Sequence, residues 1–425
     1  MVPDRSPGSL RRAERGLDAA NFFLANVRPG LGPYLATYLL AVGKWDQQSI
    51  GVVMSIATIA GVVAQTASGA LVDATRVKRA VMAVSAIAVS GLCLLLPWLS
   101  SFWTVALSQA AALAAATVLG PALTAVTLGI VGHSSFARRI GRNEFFNHAG
   151  SAAGAVAAGI AAYWYGPVVI FYLIAAVTVA SLISLPIIPG AAIDHDLARG
   201  LDHGSRKEPD RRAGWMVLLK SRPLLIFVVC VLLFHLANAA MLPLLGQQLT
   251  GQNEKLGTTL MSVCIVAAQL VMLPMALLVG AKADLWGRKP LFLLAFVILS
   301  VRAVLFTLSD GPLWLISVQL LDGVGAGIFG AIFPIIVADV TRGSGHFNLA
   351  QGVVNTAQGI GAALSTSLAG IVVVWGGYHA AFLTLGLVAV AGLAFFLFTM
   401  SETRGFGSVS GGLSEAISQS ERAQP

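Results

Sequence analysis

Charged residues are scarce in this chain, which argues against a soluble globular protein. Only 11% of the 425 residues are charged, whereas 56% are hydrophobic. A soluble domain carries about 25% charged residues, so this chain has too few to cover a water-facing surface of its size. Most of its apolar surface is therefore predicted to face lipid.

Cysteines and the motifs of cofactor-binding proteins are also rare. The three cysteines, Cys93, Cys230 and Cys264, fall in separate apolar runs and lack the spacing of a zinc, iron–sulfur or disulfide framework. No G-x-x-x-x-G-K-[ST] stretch occurs, which disfavours ATP-driven pumping. The histidines are scattered; His195 and His203 lie near acids, where a solvated loop is favoured over a metal site. The sequence thus predicts no cofactor, no metal and no enzymatic activity.

Long hydrophobic runs are abundant. A membrane-spanning helix needs about 20 mostly apolar residues, and helices satisfy every backbone polar group inside lipid. The sequence therefore predicts an all-α membrane protein with twelve transmembrane helices. The runs lie at residues 19–40, 50–72, 80–99, 102–126, 145–165, 168–188, 224–245, 258–280, 291–308, 313–337, 351–375 and 380–400.

Lysines and arginines are concentrated in alternate loops. With the N-terminus in the cytoplasm, all but a few of the 27 fall on the cytoplasmic side; Lys44 and Lys255 lie outside, and Arg28 and Arg302 lie within apolar runs. The positive-inside rule then predicts cytoplasmic termini and an even number of spans in a bacterial inner membrane. This placement accounts for the net charge of +8 without nucleic acid as a partner.

The chain is divided into two similar halves. Gly69, Asp73, Trp103 and Gly132 of the first half each recur 211 residues later in the second. A duplicated unit with a binding site between its copies is typical of transporters. We predict a cytoplasmic N-terminal segment at 1–16, six-helix bundles at 17–188 and 223–402, a cytoplasmic linker at 189–222, and a disordered cytoplasmic tail at 403–425.

One loop of the second half carries a recognisable signature. It reads Gly280-Ala-Lys-Ala-Asp284-Leu-Trp-Gly287-Arg288-Lys289, which resembles the G-x-x-x-D-x-x-G-R-K/R loop of the major facilitator superfamily. The resemblance implies two pseudo-symmetric six-helix bundles, with alternating access to a small-molecule site and activity as a monomer. It also implies that this loop helps to hold one conformational state.

The first half carries a weaker copy of the same loop. Gly69 and Asp73 match the pattern, whereas Arg76 stands where the second glycine is expected. A glycine lets neighbouring helices approach closely, and an aspartate can accept hydrogen bonds from a helix N-terminus or pair with basic residues. The two copies together therefore predict a conformational latch. Its residues are Gly69, Asp73, Arg76, Gly280, Asp284, Gly287, Arg288 and Lys289.

Arg28 is the leading candidate for contact with substrate. It lies about 14 Å into the first span at 1.5 Å per residue, and the following Pro29, Gly30 and Pro33 predict a break in the helix. A guanidinium beside freed backbone groups suits a carboxylate or phosphate, and Asn21 shares its helix face. The alternative is that Arg28 only satisfies backbone carbonyls.

Asp322 is the predicted proton carrier, because it is the carboxylate that the sequence places deep in a span. Asp18, Glu144 and Asp339 are predicted to lie at the cytoplasmic ends of spans. Arg302 lies at a depth comparable with Asp322, so a structural ion pair between them is the alternative.

Neutral polar residues complete the predicted site, although each could instead hold helices together. We expect a secondary transporter for a small anionic or zwitterionic solute, with proton-coupled efflux by antiport. The alternatives are proton-coupled uptake of an organic acid and, remotely, a non-transporting sensor. The further predicted binding residues are Tyr34, Gln109, His235, Asn238, Gln319, Asn355 and Gln358.

Overall fold

The computed structural model describes residues 6–404, apart from 32, 167, 202–217, 219 and 253, and in this part its regular elements are all helical. The predicted disordered tail beyond 404 and half of the predicted linker lie outside the described residues. The first half contains α1 (Pro7–Val27), α2 (Pro33–Ala41), α3 (Gln47–Ala74), α4 (Lys78–Leu94), α5 (Phe102–Ala116), α6 (Leu119–Tyr165) and α7 (Val169–Ser184). The second contains α8 (Arg222–Asn238), α9 (Met241–Gln252), α10 (Glu254–Trp286), α11 (Arg288–Leu305), α12 (Pro312–Val340) and α13 (Phe347–Thr399).

Eight helical stretches among the described residues are long and apolar enough to cross a membrane. Two of them, Phe102–Tyr165 and Phe347–Thr399, measure 64 and 53 residues, whereas one crossing needs about 20. A glycine with positive φ breaks each of the two, Gly132 at 67° and Gly377 at 75°, a conformation that glycine adopts without a steric penalty. Each stretch therefore accommodates two crossings, and the all-helical architecture is consistent with the twelve predicted spans.

The predicted break in the first span is confirmed. Helix α1 ends at Val27, and α2 begins at Pro33. Arg28 follows the last residue of α1, where its backbone N–H still donates to the carbonyl of Leu24 at 3.0 Å. The Arg28 side chain therefore projects from the end of helix α1.

Two apolar cores underlie the two halves. One draws its buried residues from positions 13–198, and the other mainly from positions 218–400. Leu128, Phe136, Ala137 and Ile140 of α6 belong to the second core, so α6 joins the halves. Large apolar side chains such as Trp375 and Phe398 are 87% and 84% exposed on the outer surface, as expected for a multi-pass protein whose solvent is lipid.

The halves meet through helices that approach without intervening side chains. Gly280 of α10 lies against Gly141 of α6, where an added Cβ would come within 2.8 Å of the Gly141 Cα. At Gly352 of α13, an added Cβ would come within 2.5 Å of the Gln65 carbonyl oxygen on α3. Such close backbone contact is typical of small residues at membrane helix interfaces.

The first part of the predicted cytoplasmic linker packs against the helices. Residues 190–201 form short turns at Gly190–Ala192 and Leu197–Arg199, with Leu197 and Ala198 buried. The Gly200 carbonyl accepts a hydrogen bond from the Gly343 N–H at 2.6 Å. Apolar residues interspersed among the charges of this stretch supply the buried face, which the abundance of charge obscured in the sequence.

Candidate functional site

A cavity of about 510 Å³ lies between the two halves and collects several predicted residues. Asn21 and Arg28 of the first half line it, as do Asn355 and Gln358 of the second. The last two are three residues apart on α13 and share one helix face. The structure therefore brings four of the predicted binding residues together at one cavity.

Arg28 offers donors that the protein leaves largely unused. Its Nη1 donates to the Asn147 Oδ1 at 3.5 Å, the far limit of a hydrogen bond. Its Nε is buried and has no hydrogen-bond partner among the described residues. A guanidinium has five N–H donors in a planar fork, so a planar anion in the cavity would find donors ready.

Glu144 is a cavity residue that the sequence analysis placed wrongly. It was predicted at a cytoplasmic end, but α6 resumes immediately after Gly132, so Glu144 lies about 18 Å into that section at 1.5 Å per residue. Its side chain is 20% exposed and lines the cavity. Its Oε2 accepts a hydrogen bond of 3.1 Å from the Asn147 Nδ2. Asn147 thus bridges Glu144 to Arg28.

The surroundings of Glu144 come from both halves. The Nε2 of His148 lies 3.9 Å from its Oε2, and the Nδ1 of His148 is 2.8 Å from the Gln269 Oε1 on α10. On α12, a Cβ added to Gly330 would lie 3.7 Å from the Glu144 Oε2. Glu144 and Arg28 are the only charged side chains among the described residues that line this cavity.

Neutral polar side chains that were not singled out complete the lining. Thr58 and Gln65 are seven residues apart on α3 and share a face. Gln351 precedes Asn355 and Gln358 on α13 at helical spacing, so the same periodicity could have identified it. Asn143 of α6 also lines the cavity, where its Nδ2 donates to the Thr127 Oγ1 at 2.8 Å.

Asp322 lies outside the cavity lining, in a polar cluster within the second half. Its carboxylate forms an ion pair with Arg302 and accepts a hydrogen bond from the Gln319 Nε2 at 3.0 Å. Arg302 also donates to the Asn238 Oδ1 at 2.9 Å. Asp322 precedes the cavity residue Gly330 by eight positions, about 12 Å along α12. The structure thus contains the ion pair that the sequence left open as the alternative.

Five of the predicted binding residues are absent from the cavity lining. Asn238 and Gln319 belong to the Asp322 cluster. His235 bonds the Val231 carbonyl of its own helix at 3.0 Å. Tyr34 packs against the first core, and Gln109 is buried. In this conformation these five residues therefore lie away from the cavity, because helix rotation turns them into the bundles, and their contact with substrate stays a prediction.

The first-half copy of the loop motif joins the two halves through Asp73. Its carboxylate accepts backbone hydrogen bonds from Leu349 at 2.8 Å and Asn348 at 3.3 Å, in the first turn of α13. The Asn348 Nδ2 adds a third bond at 2.7 Å. Gly69, one turn earlier on α3, abuts the Asn348 carbonyl. An aspartate therefore caps a helix of the other half, as a latch requires.

The second-half copy is organised differently. Asp284 pairs with Arg288 at 2.7 Å, and Arg288 also pairs with Asp339 at 2.8 Å. Gly287 has φ of 91° and adjoins Glu402, which accepts the backbone N–H groups of Arg288 at 2.8 Å and Lys289 at 3.0 Å. This copy therefore contacts the other half by packing at Gly280, while its charges bind within its own half.

Glu402 has a shifted pKa as a result of this arrangement. Burial alone would raise it, but hydrogen bonds from the backbone N–H groups of Arg404, Arg288 and Lys289 hold the pKa of Glu402 below its usual value. The carboxylate thus stays ionised at the N-terminus of α11, where negative charge is favourable.

Arg76 does not take the predicted place in the latch. It is exposed, whereas Lys78 is 1% exposed and its Nζ donates to the carbonyls of Val72 and Thr75 at 2.8 Å each. In the second half, the Arg288 Nη1 bonds the Ala283 carbonyl, at the repeat position of Val72. In the first half, Lys78 therefore makes the contact with a backbone carbonyl that the basic residue of the motif makes in the second half. Its position in the motif is displaced because the second glycine is missing.

The described residues hold no cluster of three potential metal ligands, and the three cysteines are buried without disulfides.

The sequence of this chain is similar to those of one protein family. Residues 17–281 and 252–416 match the model of the Major Facilitator Superfamily. Two strains of Mycobacterium tuberculosis have an uncharacterized MFS-type transporter that is 53% identical over 92% of this chain and 94% of the relative.

Solved structures with the same fold have little sequence in common with this chain. The human organic anion transporter MFSD10 (TETRAN) aligns with a TM-score of 0.67 at 14% identity, over 92% of this chain and all of that chain. The proton:xylose symporter XylE, bound to 6-bromo-6-deoxy-D-glucose, aligns with a TM-score of 0.70 at 12% identity, over 94% and 96%.

Proposed function

The chain belongs to the Major Facilitator Superfamily, and we propose that it is a proton-coupled secondary transporter of a small anionic or zwitterionic solute. One observation carries the choice of substrate: Arg28 lines a cavity of about 510 Å³, and its buried Nε has no hydrogen-bond partner among the described residues. Its single side-chain bond to a cavity neighbour, Asn147, is long. A carboxylate or phosphate would bind the guanidinium bidentately.

Glu144 supports proton coupling at the same place. Ionised Glu144 and a bound anion are both negative charges near Arg28, and like charges in one site oppose each other. Protonation of Glu144 removes that opposition, so a proton and an anion bind together. This favours proton-coupled uptake by symport, the alternative left by the sequence, over efflux by antiport.

The contacts between the halves support alternating access. Three contacts between the halves lie at the end that carries the two loop motifs: Asp73 with Leu349, Gly69 with Asn348, and Gly280 with Gly141. The charge distribution predicts that this end faces the cytoplasm. The conformation is therefore the outward-facing one, and passage to the inward-facing state requires these contacts to separate. The fold itself accommodates both cargo types named for its structural neighbours, organic anions and a sugar carried with protons.

Thermal-shift screening of the purified full-length protein tests the substrate class. The probes are acetate, lactate, succinate, inorganic phosphate, xylose and a cationic dye. We expect stabilisation by at least one anion, its loss in Arg28→Ala, and its retention in the control Arg12→Ala, which removes an exposed arginine distant from the cavity. Stabilisation by the dye alone, or by anions equally well in Arg28→Ala, would contradict the proposal.

A further inference from the structure

A second cavity, of about 460 Å³, lies between the start of α4 and the end of α7, apart from the central one. Arg76, Lys78, Arg79 and His195 line it, and no acidic side chain does so among the described residues. Burial first, and then the positive charges of Lys78 and Arg76, lower the pKa of His195 below its usual value, although Asp194 and Asp196 nearby oppose the shift. The cavity is therefore electropositive.

Two of these groups retain capacity to bind. Lys78 is committed to the carbonyls of Val72 and Thr75, and the Arg79 Nη1 bonds the Ile188 carbonyl at 2.6 Å. Arg76 is exposed, and the Nδ1 of His195 is buried with no hydrogen-bond partner among the described residues. An anion in the cavity would meet both.

The remaining walls of the cavity are apolar and lead to the lipid-facing surface. Ala83 of α4 and Leu182 of α7 line it. One residue further along each helix, Val84 and Ile183 are 65% and 66% exposed, on the surface that meets the bilayer. A ligand with a charged head and an apolar tail would contact both the basic lining and the apolar walls, whereas a wholly soluble anion would contact only the basic lining.

Comparison of the two halves shows that, among the described residues, the N-terminus of α4 lacks the capping carboxylate that α11 has. In the second half, the Glu402 carboxylate caps the first N–H groups of α11. The corresponding helix of the first half is α4, whose N-cap residue Val77 makes no side-chain capping bond and whose first turn has no acidic residue. The residue 211 positions before Glu402 is Ala191, which cannot accept a hydrogen bond through its side chain. Among the described residues, the anion that completes α11 has no counterpart at α4.

We propose that this cavity binds the phosphate headgroup of an acidic phospholipid, which takes at α4 the place that the Glu402 carboxylate takes at α11. Arg76 and His195 bind the phosphate, the N-terminus of α4 adds its dipole, and an acyl chain runs between Val84 and Ile183. Basic pockets between membrane helices are suited to such headgroups. This site is independent of the substrate proposed for the central cavity.

Thermal unfolding of the full-length protein in nanodiscs tests the proposal. The discs contain either phosphatidylcholine alone or phosphatidylcholine with roughly one-fifth phosphatidylglycerol. We expect phosphatidylglycerol to raise the midpoint for wild type and for Arg138→Gln, a control that removes an exposed arginine of the same half. We expect Arg76→Gln combined with His195→Gln to lose at least half of that shift.

A gain-of-function variant separates this site from a diffuse charge effect. Ala191→Glu places a carboxylate at the repeat position of Glu402, so it should stabilise the protein in phosphatidylcholine and remove its response to phosphatidylglycerol. An equal response in Ala191→Glu and wild type, or equal losses in Arg138→Gln and in the combined Arg76→Gln and His195→Gln variant, would overturn the proposal. Inorganic phosphate at millimolar concentration reproducing the full shift in phosphatidylcholine would overturn the lipid as the occupant.

Discussion

Asp73 and Leu349 are 276 positions apart in the chain and joined by a hydrogen bond of 2.8 Å, from the Leu349 N–H to the Asp73 Oδ2. The bond links the end of α3 in the first half to the start of α13 in the second. It belongs to a group of three hydrogen bonds that one carboxylate accepts, and burial raises the pKa of Asp73 to about 7. We therefore expect substitutions of this single side chain to shift the balance between conformations.

We expect Asp73→Asn to weaken the outward-facing state. Hydrogen bonds to a charged group contribute about 1.5–3 kcal/mol, and an amide replaces one acceptor oxygen with a donor. The outward-facing state can be measured by labelling Thr58→Cys, at an exposed position of the cavity lining, with an impermeant maleimide. Adding Asp73→Asn to Thr58→Cys should slow this labelling roughly tenfold. The three native cysteines are buried and should label little.

Asp284→Asn is the matched control for this change, because Asp284 occupies the same motif position but pairs within its own half. It should slow labelling much less than Asp73→Asn. Equal effects of the two substitutions would show that the cross-half bonds of Asp73 do not set the conformational balance.

The contact between Gly141 and Gly280 should tolerate no added side chain. A Cβ at Gly141 would lie 2.5 Å from the Ala276 carbonyl oxygen, so Gly141→Ala is expected to destabilise the folded protein by about 1–3 kcal/mol through overpacking. Gly91→Ala, where no atom lies within 4 Å of the added Cβ, should be neutral or stabilising. Thermal unfolding midpoints in detergent compare the two, and a midpoint for Gly141→Ala at or above wild type would contradict the close packing.

Glu144 and Asp322 should differ in their effects on transport. In proteoliposomes, with the anion that stabilises wild type, Glu144→Gln should keep exchange across the membrane but lose at least tenfold in accumulation driven by a pH gradient. Its neutral side chain no longer binds and releases the proton. Retention of pH-driven accumulation in this variant would exclude Glu144 as the coupling group.

Asp322→Asn should act through stability, because it leaves Arg302 buried without its partner, at a cost of about 3–5 kcal/mol. The double variant Arg302→Gln with Asp322→Asn removes both charges and should recover much of the stability while accumulating the anion. A stable double variant that exchanges the anion but cannot accumulate it would return Asp322 to the coupling mechanism.

The contribution of Glu402 to stability should depend on pH. Its folded-state pKa is lowered, so its stabilisation is fully present above the unfolded-state pKa, about 4.3, and is lost as the pH falls through the lower folded value. Glu402→Gln should be less stable than wild type by about 0.5–1 kcal/mol at pH 7, after allowance for solvent screening. The difference between their unfolding midpoints should shrink below pH 4, and a difference constant with pH would contradict this role.

Much of the candidate site could not be predicted from the sequence, because it depends on features that local sequence patterns do not contain. Arg28 was identified because a charge beside Pro29 and Gly30 is conspicuous within an apolar run. Glu144 was missed because the predicted fifth span began at 145, whereas α6 resumes directly after Gly132. Asp322 was favoured for its depth, but the side of the helix on which a carboxylate meets a partner depends on neighbours far away in the chain.

The sequence by itself determined that lipid surrounds this protein, that two related halves span the membrane, and that each half carries a copy of one loop motif. These properties follow from hydropathy, repeat spacing and loop charge, which are local or additive along the chain. Only the tertiary structure decided which polar groups share the central cavity and which are paired inside a bundle. Helix rotation and helix breaks decide this, and they are set by close contacts, such as Gly141 with Gly280, between segments distant in sequence.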